Sequence, residues 1–188
     1  MNPASGATEL GRREFLKLSA GSAALLSAGA FSATLAGCAK HEAPAAGYRF
    51  LRSGDIALFA AIAPVVLGSS LPSEQREVHL ATLLKAIDGA GVPLQAPGQK
   101  MVYQLFDLLN TGLTRRLTTG VSKPWPQAEP AEIAVFLDRW QNSSIGLFNA
   151  GYRALSKFVI GSWIGTPQGL KAVGYPGPWA PMYAAINA

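Results

Sequence analysis

The sequence predicts an all-α fold, an irregular bundle of about five helices followed by a short C-terminal helix and a Pro/Gly-rich tail. Three observations predict it. From Ser53 onward apolar residues recur at i, i+3 and i+4 spacing. The stretches between these runs are built from Gly, Pro, Ser and Asn, which stop helices. No alternating strand-like run, Asn-Gly hairpin signal or internal repeat interrupts the pattern.

The elements follow in order. Ser53 is placed to cap a first helix whose Ile56, Phe59, Ala60, Ala63 and Leu67 share a face, with Pro64 expected to kink or end it. Ser73 opens a second helix that runs to about Asp88 and is ended by Gly89-Ala90-Gly91-Val92-Pro93. Pro97-Gly98 starts a third, in which Val102, Leu105, Phe106, Leu109 and Leu113 form one face and which runs to about Leu117. The loop from Gly120 to Pro130 carries Trp125 between two prolines, a second candidate partner anchor for which burial against its own domain is expected ahead of partner contact. Pro130 begins a fourth helix with Ile133, Phe136, Leu137 and Trp140 on its apolar face, since a proline's missing N–H is not needed there. Asn142-Ser143-Ser144 separates it from a fifth, about Ile145 to Ile164, apolar over much of its circumference and expected at the centre. Thr166-Pro167 pairs a cap with a first-turn proline for a short helix ending near Gly174.

Ahead of this domain the sequence reads as an export segment. Gly11-Arg12-Arg13-Glu14-Phe15-Leu16-Lys17 precedes an uncharged stretch, Leu18 to Leu35, made of Ala, Gly, Ser and Leu. Paired arginines, then Phe15, Leu16 and Lys17, then a mildly apolar segment, form the arrangement of a twin-arginine signal. The segment is too rich in Gly, Ser and Ala for a permanent membrane span. It ends in Leu35-Ala36-Gly37-Cys38, which matches a lipobox, where cleavage exposes a cysteine for lipidation; the alternative is an incidental Cys38 and an ordinary signal-peptidase cut nearby, for example after Ala43-Pro44-Ala45. Acyl chains there would hold the protein on a membrane, each buried CH₂ contributing about 0.8 kcal/mol. The expected organisation is therefore a signal over residues 1–37, a tether over 38–50 and a helical domain over 51–188, with a periplasmic, membrane-attached destination.

About 150 residues remain after the signal, enough to bury roughly two thirds of the unfolded surface without a disulfide. Cys38 is the only cysteine, which excludes an intrachain bridge, a Cys-rich zinc site and a CxxCH haem attachment. From Cys38 onward 13 Lys and Arg stand against 9 Asp and Glu, with no basic run, so a nucleic-acid role is not supported. There is no GxGxxG after a strand-like run, no Walker loop and no HExxH, and His41 and His79 are far apart. Asp55, Asp88, Asp107 and Asp138 lack a base or nucleophile at a recognisable spacing, and helix caps and solvated faces account for them. No catalytic, cofactor-binding or metal residue is expected in this chain.

Yet twin-arginine export usually serves proteins that take up a cofactor before crossing. A second polypeptide, bound in the cytoplasm and exported with this one, resolves the contradiction. Phe136-Leu137-Asp138-Arg139-Trp140 with Ser143, then Leu155-Ser156-Lys157, then Thr166-Pro167 leading to Gly174-Tyr175-Pro176-Gly177-Pro178, supply a specific order and spacing. In these residues the chain resembles the family typified by gluconate 2-dehydrogenase subunit 3, the small non-catalytic subunit accompanying FAD-dependent dehydrogenases of the glucose-methanol-choline type. It departs from that pattern at Ser162-Trp163-Ile164-Gly165 and at Lys171-Ala172. The resemblance implies a chain that is not itself an enzyme and has a large FAD-containing partner subunit. It also implies passage through the twin-arginine translocase and allows a separate cytochrome subunit. Expected partner contacts are Trp140, Trp163, Tyr175, Pro176, Gly177, Pro178 and Trp179. Tyr175 and Trp179 offer large aromatic faces on a proline-stiffened path with little entropy to lose on docking. The same aromatics could equally fold back over the end of the bundle. An alternative of another class is a stand-alone periplasmic lipoprotein that binds a small apolar ligand between its helices.

Overall fold

The computed structural model describes residues 42–175. The export signal, Leu35 to Cys38, and Pro176, Gly177, Pro178 and Trp179 lie outside the described residues. The chain divides into Met1–Glu42 and Ala43–Ala188, and the fold below belongs to the second unit.

The fold is all-α, with seven α-helices and no strand among the described residues. They are α1 (Ser53–Leu67), α2 (Arg76–Gly91), α3 (Ala96–Asn110), α4 (Gly112–Thr119), α5 (Pro130–Gln141), α6 (Gly146–Ile164) and α7 (Pro167–Ala172). Short 3₁₀ turns lie at Gly68–Ser70 and Trp125–Gln127.

The start signals act as elementary helix chemistry requires, with one shift at the first. The N-cap of α1 is Arg52 rather than Ser53, and it forms a capping box with Asp55. Glu129 and Glu132 form a second box ahead of α5, with Pro130 in its first turn. Thr166 accepts from the Gly169 amide at 3.0 Å and so caps α7. Pro64 does not end α1, which continues one turn beyond it to Leu67. The missing N–H is tolerated near the C-terminal end of a helix held by packing on Phe59, Ile62 and Ala63. The second helix begins at Arg76, later than Ser73, because Gln75 takes a left-handed conformation (φ 52°) that interrupts the coil.

The expected single helix from Pro97 to Leu117 is two. Thr111 is extended (φ −73°, ψ 121°), and α4 starts on the next residue. Asn110, the last residue of α3, turns its side chain inward to Asp55, and Thr114 Oγ1 donates to the Leu108 carbonyl at 2.6 Å. Leu113, assigned to the apolar face of a continuous helix, is consequently 69% exposed.

The expected centre also shifts. α6 packs against α1, α2, α5 and α7, but α1 packs against α2, α3, α5, α6 and the Trp125 turn. Leu58, Phe59 and Ile62 of α1 are fully buried at the middle of a core completed by Leu83, Ile87, Phe106, Phe136, Trp140 and Leu155. The stretch Ser53–Ser70 is long and apolar enough to cross a membrane. Its contacts instead make it the core helix of the bundle.

The packed domain starts earlier than Leu51. The Ala45 amide donates to the Leu51 carbonyl, closing a loop, and Phe50 and Leu51 are buried. Half of the expected tether is therefore a strap belonging to the fold.

Candidate partner-docking site

Two regions concentrate the chemistry of the described residues, a buried polar clamp that fastens the strap and an open apolar groove beside it. The clamp centres on carboxylates that sequence reasoning assigned to caps and solvated faces. Asp88 lies on the same face of α2 as Leu84 and Gly91 and is buried. Its carboxylate accepts the amides of Arg49 (3.0 Å), Phe50 (2.8 Å) and Leu51 (2.8 Å). Burial opposes its ionisation, but those three donors, aided by Lys85, outweigh it and hold the carboxyl below the usual aspartate range. Phe50 meanwhile packs so closely on Gly91 that a Cβ there would overlap its ring.

Next along the chain, Arg52 makes a two-pronged ion pair with Asp55, Nε to Oδ2 at 2.8 Å and Nη2 to Oδ1 at 3.1 Å. It reaches Asp107 of α3 at 2.7 Å and lies over the Tyr103 ring at 4.8 Å. Burial works against the Arg52 charge, but Asp55 and then Asp107 outweigh it, so its pKa rises above the ordinary arginine value. Asn110 Nδ2 donates to Asp55 Oδ1 at 2.8 Å, and Tyr103 Oη donates to the Phe50 carbonyl at 2.9 Å. Burial, opposed by Arg52, pushes the Tyr103 phenol up. Every charge is matched at close range, so the cluster is a structural lock joining strap, α1 and α3. No group of three metal-ligating side chains occurs among the described residues.

The groove is of opposite character. It lies between α2, α3 and α6 and consists of two adjoining hollows of about 580 Å³ and 370 Å³. They share Val102 and Ala154 and so adjoin along the face that runs from Leu147 of α6 to Gly165, just past the helix. At a rise of about 1.5 Å per residue that face is roughly 27 Å long. Small residues line much of the larger hollow, Ala86 and Ala90 from α2 and Ala154 and Gly161 from α6, together with Phe158 and Leu94. Its polar lining is Lys157 and Ser162. Ser162 Oγ is buried without a partner. In the smaller hollow Met101 and Leu147 remain 71% and 70% exposed. Such exposure of large apolar side chains around a concave surface marks a contact site.

The residues expected to contact a partner separate under this geometry. Trp140 is 1% exposed, donates Nε1–H to the Thr118 carbonyl at 3.0 Å and shows the smaller hollow only part of its ring. Trp163 is 2% exposed and meets His79 edge-on. Both indoles are buried in the core of this unit, which leaves little of either ring at the surface for the expected partner contact. Their apolar helical spacing fits core and interface equally, and burial decides between them. Tyr175 is exposed beyond α7 and keeps that role open. Trp125 is buried as expected and donates to the Leu109 carbonyl at 3.1 Å. Arg139 donates to the Thr118 carbonyl at 2.7 Å, and Lys157 lies on the groove. The small-residue spacing Ala150, Ala154, Gly161 and Gly165 on α6 was the sequence signal for the groove. In comparisons with known proteins, no family model, no curated protein and no solved structure matches the chain.

Proposed function

We propose that this chain is a non-catalytic small subunit that assists the maturation and twin-arginine export of a partner FAD-dependent dehydrogenase of the glucose-methanol-choline type. It stays with that partner outside the cytoplasm, attached to the membrane through lipidated Cys38, and a cytochrome subunit could complete the complex. The observation that carries the reading is the order of Phe136-Leu137-Asp138-Arg139-Trp140, Leu155-Ser156-Lys157 and Thr166-Pro167 with Gly174-Tyr175-Pro176-Gly177-Pro178, behind a signal with Arg12 and Arg13. The open apolar groove and exposed Tyr175 support a docking role, and the self-contained polar clamp supports a rigid scaffold.

The volume and apolar lining of the groove favour one second reading, a stand-alone lipoprotein that binds a small apolar ligand there. Export separates the two. With Arg12→Lys and Arg13→Lys combined, the accessory reading expects both this chain and a large flavoprotein to stay in the cytoplasm. Unchanged export of the flavoprotein in that strain would remove the escort role.

A further inference from the structure

We propose that the groove between α2, α3 and α6 binds a long-chain fatty acid, with the alkyl chain lying along the groove and the carboxylate beside Lys157 and Ser162. Shape gives the first argument. The larger hollow, about 580 Å³, falls within the roughly 300–1,000 Å³ of small-ligand pockets. The smaller hollow adjoins it along the same face, so the two together suit a long chain rather than a compact ring. Met101, Leu105, Leu108 and Leu147 line the smaller hollow, and no charged side chain does. An alkyl chain there covers Met101 and Leu147, which the fold leaves exposed.

Polarity gives the second argument. Lys157 and Ser162 both line the larger hollow. Ser162 is only 7% exposed, and its Oγ has no hydrogen-bond partner. A buried hydroxyl ordinarily has one, so this one is short of an acceptor that a carboxylate oxygen supplies. Lys157 is exposed, and its flexible stem can carry the ammonium to the same head group. The surrounding charge is positive. α6 carries Arg153 and Lys157 one turn apart and no acidic residue, and neither cation makes an ion pair among the described residues. Like charges at that spacing repel, and a bound anion relieves the repulsion. An anionic head on a single apolar tail answers both features at once, which a neutral hydrocarbon does not. The site belongs to the folded unit itself and rests on neither reading of the chain's role.

The test uses the full mature chain with Cys38→Ser, stripped of bound lipid and loaded with an apolar fluorescent dye. Hexadecanoate is expected to displace the dye at a concentration about tenfold lower than hexadecanol, which has the same chain and no charge. Lys157→Met is expected to weaken hexadecanoate about tenfold and to leave hexadecanol unchanged. Failure of hexadecanoate to displace the dye would overturn the proposal. Equal displacement by acid and alcohol would also overturn it, and would assign the groove to a neutral apolar ligand. Gly161→Leu puts its new side chain into open space at the larger hollow, and is expected to abolish hexadecanoate binding while helix content and the unfolding midpoint are kept. Undiminished hexadecanoate binding in that variant would place the fatty acid elsewhere on the chain and overturn the groove as its seat. All of these measurements are made on the free subunit, so a failure here leaves the accessory role standing, and failure to copurify a flavoprotein leaves this site standing.

Discussion

The clamp around Asp88 and Arg52 and the groove along α6 lie in one small bundle, and they are finished in opposite ways. In the clamp each charge has a counter-charge or amide donor within about 3 Å, and the adjoining Phe50 and Leu51 are buried. In the groove small side chains leave the space between the helices unfilled, and large apolar groups such as Met101 and Leu147 face solvent. Burying charge is stable only when each charge finds a partner, so a region whose charges are so closely matched serves the fold itself. An apolar channel left open gives up burial that a few larger side chains would recover, so its open shape points to something that enters it.

The contrast can be broken most directly at Asp88. Asp88→Ala leaves the Arg49, Phe50 and Leu51 amides without an acceptor, and is expected to lower unfolding free energy by about 3 kcal/mol or more in urea titrations. A loss below about 1 kcal/mol would show that the strap is not held by that carboxylate. Gly91→Ala tests the same lock sterically. Its new Cβ meets the Phe50 ring, and a loss of about 2 kcal/mol is expected, with the strap amides exchanging faster with solvent.

Acid sharpens the comparison. Because the folded pKa of Asp88 is depressed, its contribution is complete above the unfolded value, about 3.9, and is lost as pH falls through the folded value. The native chain should therefore lose stability on acidification below about pH 4 more steeply than Asp88→Asn. Parallel acid limbs for the two proteins would contradict the assignment. The smallest effect on stability is expected in the groove, where Ala154→Leu should change unfolding free energy by no more than about 0.5 kcal/mol while cutting dye or partner binding about tenfold. A strongly destabilised Ala154→Leu would mean that this face is core rather than an open site.

Much of this architecture was legible in the residues. Helical spacing, Pro130 and Pro167 at first turns and the Asn142 to Ser144 break gave elements close to those observed, because local signals and packing agree there. The break at Thr111 was hidden, since Leu113 continues the apolar period and only the inward hydrogen bond of Asn110 to Asp55 shows why the helix stops. Likewise, Asp55 and Asp88 share helix faces with Phe59, Ile62, Leu84 and Gly91, which was a readable sign of burial, but their partners come from distant segments. The groove was the least legible feature. A stripe of alanine and glycine suits close helix packing and an open groove alike, and only the folded arrangement of α2, α3 and α6 distinguishes them. Similarly, Trp140 and Trp163 carried the same signal whether core or interface.

The central claim is that this chain escorts a flavoprotein. It is tested most directly by purifying the chain from its own cells through an affinity tag inserted at exposed Ser122, then recording the flavin absorption spectrum and identifying the accompanying proteins by mass spectrometry. The account predicts a large FAD-containing chain in stoichiometric amount. A colourless preparation of this chain alone would contradict it.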